Sequence, residues 1–280
     1  MIIPKKRRRL VKLSEISPYG CSAPESFNSI EPSLKMIAGS YYIPKYNESK
    51  PLGEDSHFIC AEKQIFGVAD GVGGWAKKGI DPGEYARELM ESSVFAIEDK
   101  PEGGVNPMVV LNEAFLNTEA QGSSTACILT LKGDVLHAVN IGDSGFVVIR
   151  GWKIVYKSPV QHRRFNCPLQ LGNWRDNPSM AEELKVGVIP GDIVVAGTDG
   201  LFDNLYESEI EELVFRGIHV QRNFPAELAS TIAKFALINS MDRLAVCPFT
   251  IAAQEAGLEF MGGKIDDITV VVAYIGSSPN

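Results

Sequence analysis

Apolar residues in this chain come in short runs, and four of those runs begin or end on an aspartate. Ile65-Phe66-Gly67-Val68-Ala69 leads into Asp70-Gly71, Val135-Leu136-His137-Ala138-Val139-Asn140-Ile141-Gly142 into Asp143, and Ile193-Val194-Val195-Ala196-Gly197-Thr198 into Asp199-Gly200. The fourth runs the other way, from Asp266-Asp267 into Ile268-Thr269-Val270-Val271-Val272-Ala273-Tyr274-Ile275, and Glu54-Asp55 stands just before Phe58-Ile59-Cys60. Runs of this kind, bounded by turn residues, read as core strands. Further strands are predicted near 36–43, 57–60 and 64–69, then in close succession over Ala126–Leu131, Val135–Ile141, Phe146–Arg150 and Lys153–Tyr156. Lys132-Gly133-Asp134 and Gly151 are links so short that these strands must be antiparallel, because parallel neighbours need a long crossover.

Helix signals alternate with the strands. Asp81-Pro82-Gly83-Glu84 sets an N-cap acid before a proline at the first helical position and a glutamate at the third, predicting a helix through Tyr85–Ile97. Asn106-Pro107 opens a second in the same way, running to about Thr118, and Glu207–Arg216 and Pro225–Ser240 supply two more before the last strand at 268–275. Residues 158–185 are polar and aperiodic, long for a connection, and are expected to form a substrate-facing flap. The order is α+β with antiparallel sheets, and no internal repeat is visible.

Composition narrows the function class. With 280 residues, 45% hydrophobic and 22% charged, the chain has material for one large domain or two small ones. A formal charge of -8 argues against nucleic-acid binding, which draws on a surplus of Lys and Arg. No window approaches the roughly 18–20 apolar residues of a membrane span. Cys21, Cys60, Cys127, Cys167 and Cys247 are odd in number and contain no C-x-x-C, as expected of reduced thiols in an intracellular protein. Residues 1–35 carry the basic run Lys5-Lys6-Arg7-Arg8-Arg9 and little periodicity, and are expected to be a disordered tail. A nuclear-import or anionic-surface patch, an organelle-targeting leader and a solvated tail are its three readings; Glu15 and Glu25 weigh against the leader.

Any single Asp-Gly pair reads equally well as a turn. Convergence of all four acids changes the chemistry, since two carboxylates about 4 Å apart at an effective dielectric of ~20 repel by about 4 kcal/mol. Against the ~5–15 kcal/mol that holds a domain folded, that cost calls for a divalent cation. A carboxylate set with carbonyls and water suits Mg²⁺ or Mn²⁺, whereas Zn²⁺ draws on His or Cys. Gly71-Val72-Gly73-Gly74 lacks the G-x-G-x-x-G spacing and the Gly-Lys-Ser/Thr of nucleotide loops; its glycines fit a close backbone approach to a metal, with the Gly71 carbonyl as a ligand.

Glu54-Asp55, Val68-Ala69-Asp70-Gly71-Val72-Gly73-Gly74-Trp75, Gly122-Ser123-Ser124-Thr125-Ala126, Gly142-Asp143-Ser144-Gly145, Gly197-Thr198-Asp199-Gly200-Leu201-Phe202-Asp203-Asn204 and Gly263-Lys264-Ile265-Asp266-Asp267-Ile268-Thr269 occur in one order. Together, over residues 38 to 276, they resemble the type 2C, metal-dependent (PPM) serine/threonine protein phosphatases. The Gly-Val-Gly-Gly-Trp form, Phe165-Asn166-Cys167-Pro168-Leu169-Gln170-Leu171 and Pro248-Phe249 look closest to a branch known in mitochondria and plastids, including plant members. The resemblance implies a four-layer α/β/β/α sandwich of two antiparallel sheets flanked by helices. Its domain spans 36–276, between the tail 1–35 and a C-terminal tail 277–280. It further implies two Mg²⁺ or Mn²⁺ ions and hydrolysis of phosphoserine and phosphothreonine in proteins by a water bridging them. Asp70 would bridge both ions, Asp199 and Asp266 complete one metal's shell, and Glu54 with the Gly71 carbonyl serve the other. Asp55 would orient the water, Asp143 and Asp203 are candidates for a third, weaker ion, and Asp267 has a supporting role. No covalent phosphoenzyme is required, so Ser123 and Ser124 are expected to pack or cap.

Two positions depart from the family pattern. Lys50 stands where many relatives carry an arginine that grips substrate phosphate, and offers a point charge without the bidentate fork. Val72 stands where many carry a proton-donating histidine, which leaves that task to water held by the metals; His57 and His162 are expected in surface or structural roles. Phosphorylated proteins are the expected partners of a monomer that binds no nucleic acid. The compartment is a plastid or mitochondrion by resemblance, or the nucleus by the basic run. A phosphatase-like binding protein and a phosphatase of small metabolites are the competing readings.

Overall fold

A computed structural model of the chain describes residues 34–48, 51–98, 100–101, 104–172 and 176–277. Two antiparallel five-stranded sheets lie back to back. The first is ordered β1 (Leu34–Ile43), β12 (Ile268–Ser277), β11 (Ile193–Gly197), β6 (Gly145–Arg150) and β7 (Lys153–Lys157); the second is ordered β10 (Glu182–Gly187), β5 (Val135–Ile141), β4 (Ala126–Lys132), β3 (Ile65–Asp70) and β2 (Asp55–Cys60). Their inner faces interdigitate through Phe66, Val68, Leu129, Phe146, Val148, Val271 and Ala273, all fully buried. Each large side chain in that layer is worth about 1.5–3 kcal/mol of burial.

Helices cover both outer faces. On the second sheet lie α1 (Pro82–Ile97), with Leu89 and Met90, and α2 (Pro107–Asn117), with Val110 and Leu111. On the first sheet lie α4 (Glu207–His219), with Ile210 and Val214, and α5 (Pro225–Met241), with Leu228 and Ile232. Both expected N-caps hold: Asp81 accepts from Gly83 N, and Asn106 from Met108 N and Val109 N. The layers are therefore α/β/β/α, as the resemblance implies. Among the described residues no helix is long and apolar enough to cross a membrane.

The described chain departs from expectation in three places. β1 starts at Leu34 and β12 ends at Ser277, paired with each other at the ends expected to be tails; the basic run and the rest of the N-terminal stretch to residue 33 lie outside the described residues. The expected flap contains a small hairpin, β8 (His162–Arg164) with β9 (Cys167–Pro168), and then β10, an edge strand on β5. β10 carries the exposed charges Glu182, Glu183 and Lys185, the dressing that protects an edge strand and breaks the apolar pattern a core strand would show. A short helix, α6 (Pro248–Glu255), was not foreseen; its Phe249 packs on Phe165 of the β8–β9 turn at 5.1 Å and on Phe260 at 4.9 Å.

Candidate metal centre

Antiparallel order explains why acids far apart in sequence meet. Neighbouring strands run in opposite directions, so the ends of β3 and β11 lie beside the starts of β2, β6 and β12. Gly197 at the end of β11 faces Gly145 at the start of β6 and Val270 near the start of β12. That register brings Asp143, Asp199 and Asp266, each two residues beyond a strand end, to the same end of one sheet. In the other, Asp55 and Asp70 are direct cross-strand partners, an arrangement that like charges disfavour unless something compensates.

Asp70, Asp143 and Asp199 each offer a carboxylate oxygen such that all three lie within 4.8 Å of one another. Three carboxylates that close repel by about 3 kcal/mol per pair at an effective dielectric of ~20. The fold anchors one oxygen of each neighbouring acid and leaves the other bare. Asp55 Oδ2 accepts from Thr198 Oγ1 at 2.7 Å and Thr269 Oγ1 at 2.8 Å. Asp143 Oδ2 meets His162 Nε2 at 2.7 Å, and Asp199 Oδ2 accepts from Lys264 Nζ. The opposite oxygens, Oδ1 of Asp55, Asp143 and Asp199, are buried with no hydrogen-bond partner among the described residues. Buried acceptors are rarely left so, and bare carboxylate oxygens at one spot fit a hard divalent cation.

Without a cation, burial and neighbouring charge push Asp55, Asp70, Asp203 and Asp266 toward protonation. Burial, then the charge of Asp267, raises Asp55 well above the usual carboxylate range; burial, then the charge of Asp199, does the same to Asp70. Burial pushes Asp203 up to about 7 and also raises Asp266. The hydrogen bond to Asp143 raises His162. Burial would pull Lys264 down, but Asp199, Asp203 and Asp266 together hold it well above its ordinary value.

A cavity of about 250 Å³ opens over the cluster, lined by Glu54, Asp70, Gly71, Asp199 and Asp266 with Lys45, Asn166 and Lys264. A second, of about 180 Å³, shares Asp143, Asp199 and Asp203 and adds Lys157, His162 and Phe202. The groove between α4 and α5 is larger, about 340 Å³, but draws none of its lining from the cluster. The structure thus assembles Glu54, Asp70, Gly71, Asp199 and Asp266 around one cavity, and places Asp143 in the Asp70–Asp199 group itself. Asp203 is engaged by Lys264 Nζ at 2.7 Å. Asp267 stands apart as a support, accepting from Tyr42 OH at 2.6 Å and Lys45 N at 3.0 Å. Lys50 lies outside the described residues. His57 is bonded to Ser40 Oγ at 2.9 Å, whereas His162, expected in a surface or structural role, is bonded to Asp143. Ser123 packs, with its Oγ accepting from Trp75 Nε1 at 2.6 Å. Lys264, Thr198 and Thr269 were not singled out; a lysine two residues before an acid pair was the one available signal.

A two-sheet sandwich flanked by helices, with an acidic cluster at one end of its strands that could hold a metal ion, defines the fold class and the candidate site. No protein-family model matches the chain. It is 50% identical over 247 residues to "Probable protein phosphatase 2C 55" of Arabidopsis thaliana, covering 88% of this chain and 53% of that protein. It is 37% identical over 268 residues to a protein of Oryza sativa subsp. japonica named for protein phosphatase 2C 24, covering 92% and 83%. The X-ray structure of the photosystem II phosphatase PBCP superposes with a TM-score of 0.78 at 30% identity, covering 85% of this chain and 98% of that one. The catalytic domain of the serine threonine protein phosphatase PstP, in complex with two manganese ions, shares the fold with a TM-score of 0.61 at 18% identity, covering 88% and 100%. The chain belongs to the protein phosphatase 2C family. It spans about half the length of the first of these relatives.

Proposed function

We propose that this chain is a metal-dependent phosphatase of phosphoserine and phosphothreonine in proteins. The observation that carries it is the meeting of Asp70, Asp143 and Asp199 within 4.8 Å, with buried oxygens on Asp143 and Asp199 that no described residue satisfies. The oxygen-rich donor set favours Mg²⁺ or Mn²⁺. The two manganese ions of the PstP structure support a pair. Asp70, Asp143 and Asp199 would hold the metals, with Glu54, the Gly71 carbonyl and Asp266 completing their surroundings. When bound, a divalent pair lowers the pKa of water and neutralises phosphoryl oxygens, the two needs of phosphomonoester hydrolysis.

The chain's own residues supply orientation. Two threonine hydroxyls fix Asp55 Oδ2, and its other oxygen, which no described residue engages, is left to accept a hydrogen bond from the attacking water. His162 fixes Asp143 in the same manner. Lys45, which lines the cavity and lies 3.6 Å from Asp266, is the described cation best placed to meet a substrate phosphate, alongside the expected Lys50.

The test is turnover of a phosphothreonine peptide by the purified chain. Activity is expected with Mg²⁺ or Mn²⁺ and none in EDTA, and Asp70→Asn and Asp199→Asn are expected to lose more than the roughly 10–100-fold typical of outer-shell changes. Undiminished turnover in EDTA overturns the reading. Sugar and nucleotide phosphates assayed alongside separate a protein phosphatase from a metabolite phosphatase.

A further inference from the structure

Lys264 stands where three acids converge, two from the turn Asp199–Asp203 after β11 and one just before β12. Its Nζ pairs with Asp199 Oδ2, with Asp203 Oδ2 at 2.7 Å and with Asp266 Oδ2 at 3.2 Å, and its side chain is 13% exposed. Three acceptors around one ammonium match its three donors. The ring of Phe249 closes another side, its centroid 5.2 Å from Nζ. The backbone is clamped as well: Lys264 N donates to Asn204 Oδ1 at 3.0 Å, and Lys264 O accepts from Asn204 Nδ2 at 2.9 Å. Asn204 is fully buried and also donates to Gly200 O in α3 (Asp199–Phe202). This lysine is fixed in place by the core.

We propose that Lys264 is a resident cation that fills the position a further divalent ion at Asp203 would need, confining the metals to the side of Asp70, Asp143 and the bare oxygen of Asp199. The proposal rests on the metal-dependent reading above. An ion approaching Asp203 meets the ammonium's charge and finds the Oδ2 atoms of Asp203 and Asp266 engaged. Because the ammonium is tethered, a chelator cannot remove it, so its charge stays beside Asp203 and Asp266 in the metal-free protein.

Mn²⁺ titration calorimetry of the full chain, paired with thermal unfolding in EDTA and in Mn²⁺, tests this. Lys264→Met is expected to bind one more Mn²⁺ than wild type, and Lys264→Met/Asp203→Asn to lose that extra ion. In EDTA, Lys264→Met is expected to unfold about 5 °C below wild type, a gap that closes in Mn²⁺. Asp203→Asn alone is expected to leave the wild-type number of ions unchanged, an arm that stands even where Lys264→Met fails to fold. Equal stoichiometry and affinity in wild type and Lys264→Met, or an ion lost in Asp203→Asn alone, overturns the role of Lys264 and leaves the phosphatase reading intact. Wild-type protein that binds no Mn²⁺ defeats the metal-dependent reading itself.

Discussion

At the scale of single residues, Asp55, Asp143 and Asp199 each spend one oxygen on the protein. Asp55 is the clearest case, because both of its anchors are neutral hydroxyls from the other sheet's side, Thr198 just after β11 and Thr269 in β12, and both threonines are fully buried. A hydrogen bond to a charged group contributes about 1.5–3 kcal/mol, more than a neutral one. Thr269→Val keeps the shape and removes one donor, so it leaves Asp55 with a single anchor and favours its protonated form further. The expected result is about 1–3 kcal/mol less stability in urea unfolding and roughly tenfold slower phosphopeptide turnover, the size of an outer-shell change. Lower stability with an unchanged rate would make Asp55 a structural acid. The acids themselves were legible in the sequence, because each ends or begins an apolar run and a buried strand end is an unlikely place to strand a charge. Their anchors were not: Thr198 and Thr269 read as ordinary strand residues, and the pairing of His162 with Asp143 depends on a loop whose path no local pattern specifies.

At the scale of elements, the local hairpins β4–β5 and β6–β7 followed from links too short for anything else, and the helices from their caps. The pairing of β1 with β12 joins opposite ends of the described chain, and neither strand carries a mark of its partner. The close approach of elements around the site was only partly legible. Glycines at the Asp-Gly junctions signalled it, but what they approach needed the fold. A Cβ on Gly71 would lie 2.3 Å from Pro82 O, at the start of α1, and 2.5 Å from Glu54 O, just before β2. Both are backbone atoms, so Gly71→Ala must spread β2, β3 and α1 where Glu54, Asp55 and Asp70 sit. A Cβ on Gly74 would meet nothing nearer than Val72 Cγ1 at 4.0 Å. Gly71→Ala is therefore expected to cost about 2–4 kcal/mol, an overpacking penalty at the upper end, and to weaken Mn²⁺ binding about tenfold. Gly74→Ala is expected to change neither. Calorimetry and urea unfolding on the two variants check this, and equal behaviour of the pair would show that the junction tolerates movement.

At the scale of the whole molecule, the acidic cluster couples stability to pH, and the sign of that coupling depends on the metal. A carboxyl whose pKa is raised by folding contributes stability that is fully present below its unfolded value and lost as pH rises through the folded one. For Asp203 that window runs from 3.8 to about 7. Asp55, Asp70 and Asp266, raised chiefly by burial, act in the same direction. His162, raised by its bond to Asp143, adds a loss of the same sign above 6.5. Each net proton held by the folded state changes stability by about 1.4 kcal/mol per pH unit. Over about two units this corresponds to a fall in Tm of roughly 5–10 °C for a chain of this size. In EDTA the protein is thus expected to melt lower at about pH 7.5 than at about pH 5.5. Mg²⁺ or Mn²⁺ requires the deprotonated carboxylates, so its affinity rises through the same window. Ion at a hundred times its Kd adds about 2.7 kcal/mol. In saturating Mg²⁺ the decline is expected to flatten or reverse, and the difference in Tm between Mg²⁺ and EDTA to widen steadily with pH. Other ionisable groups shift both curves alike, which is why the difference carries the test. Parallel curves in Mg²⁺ and EDTA would mean that the strand-end acids do not share a cation, and the phosphatase reading would lose its physical basis.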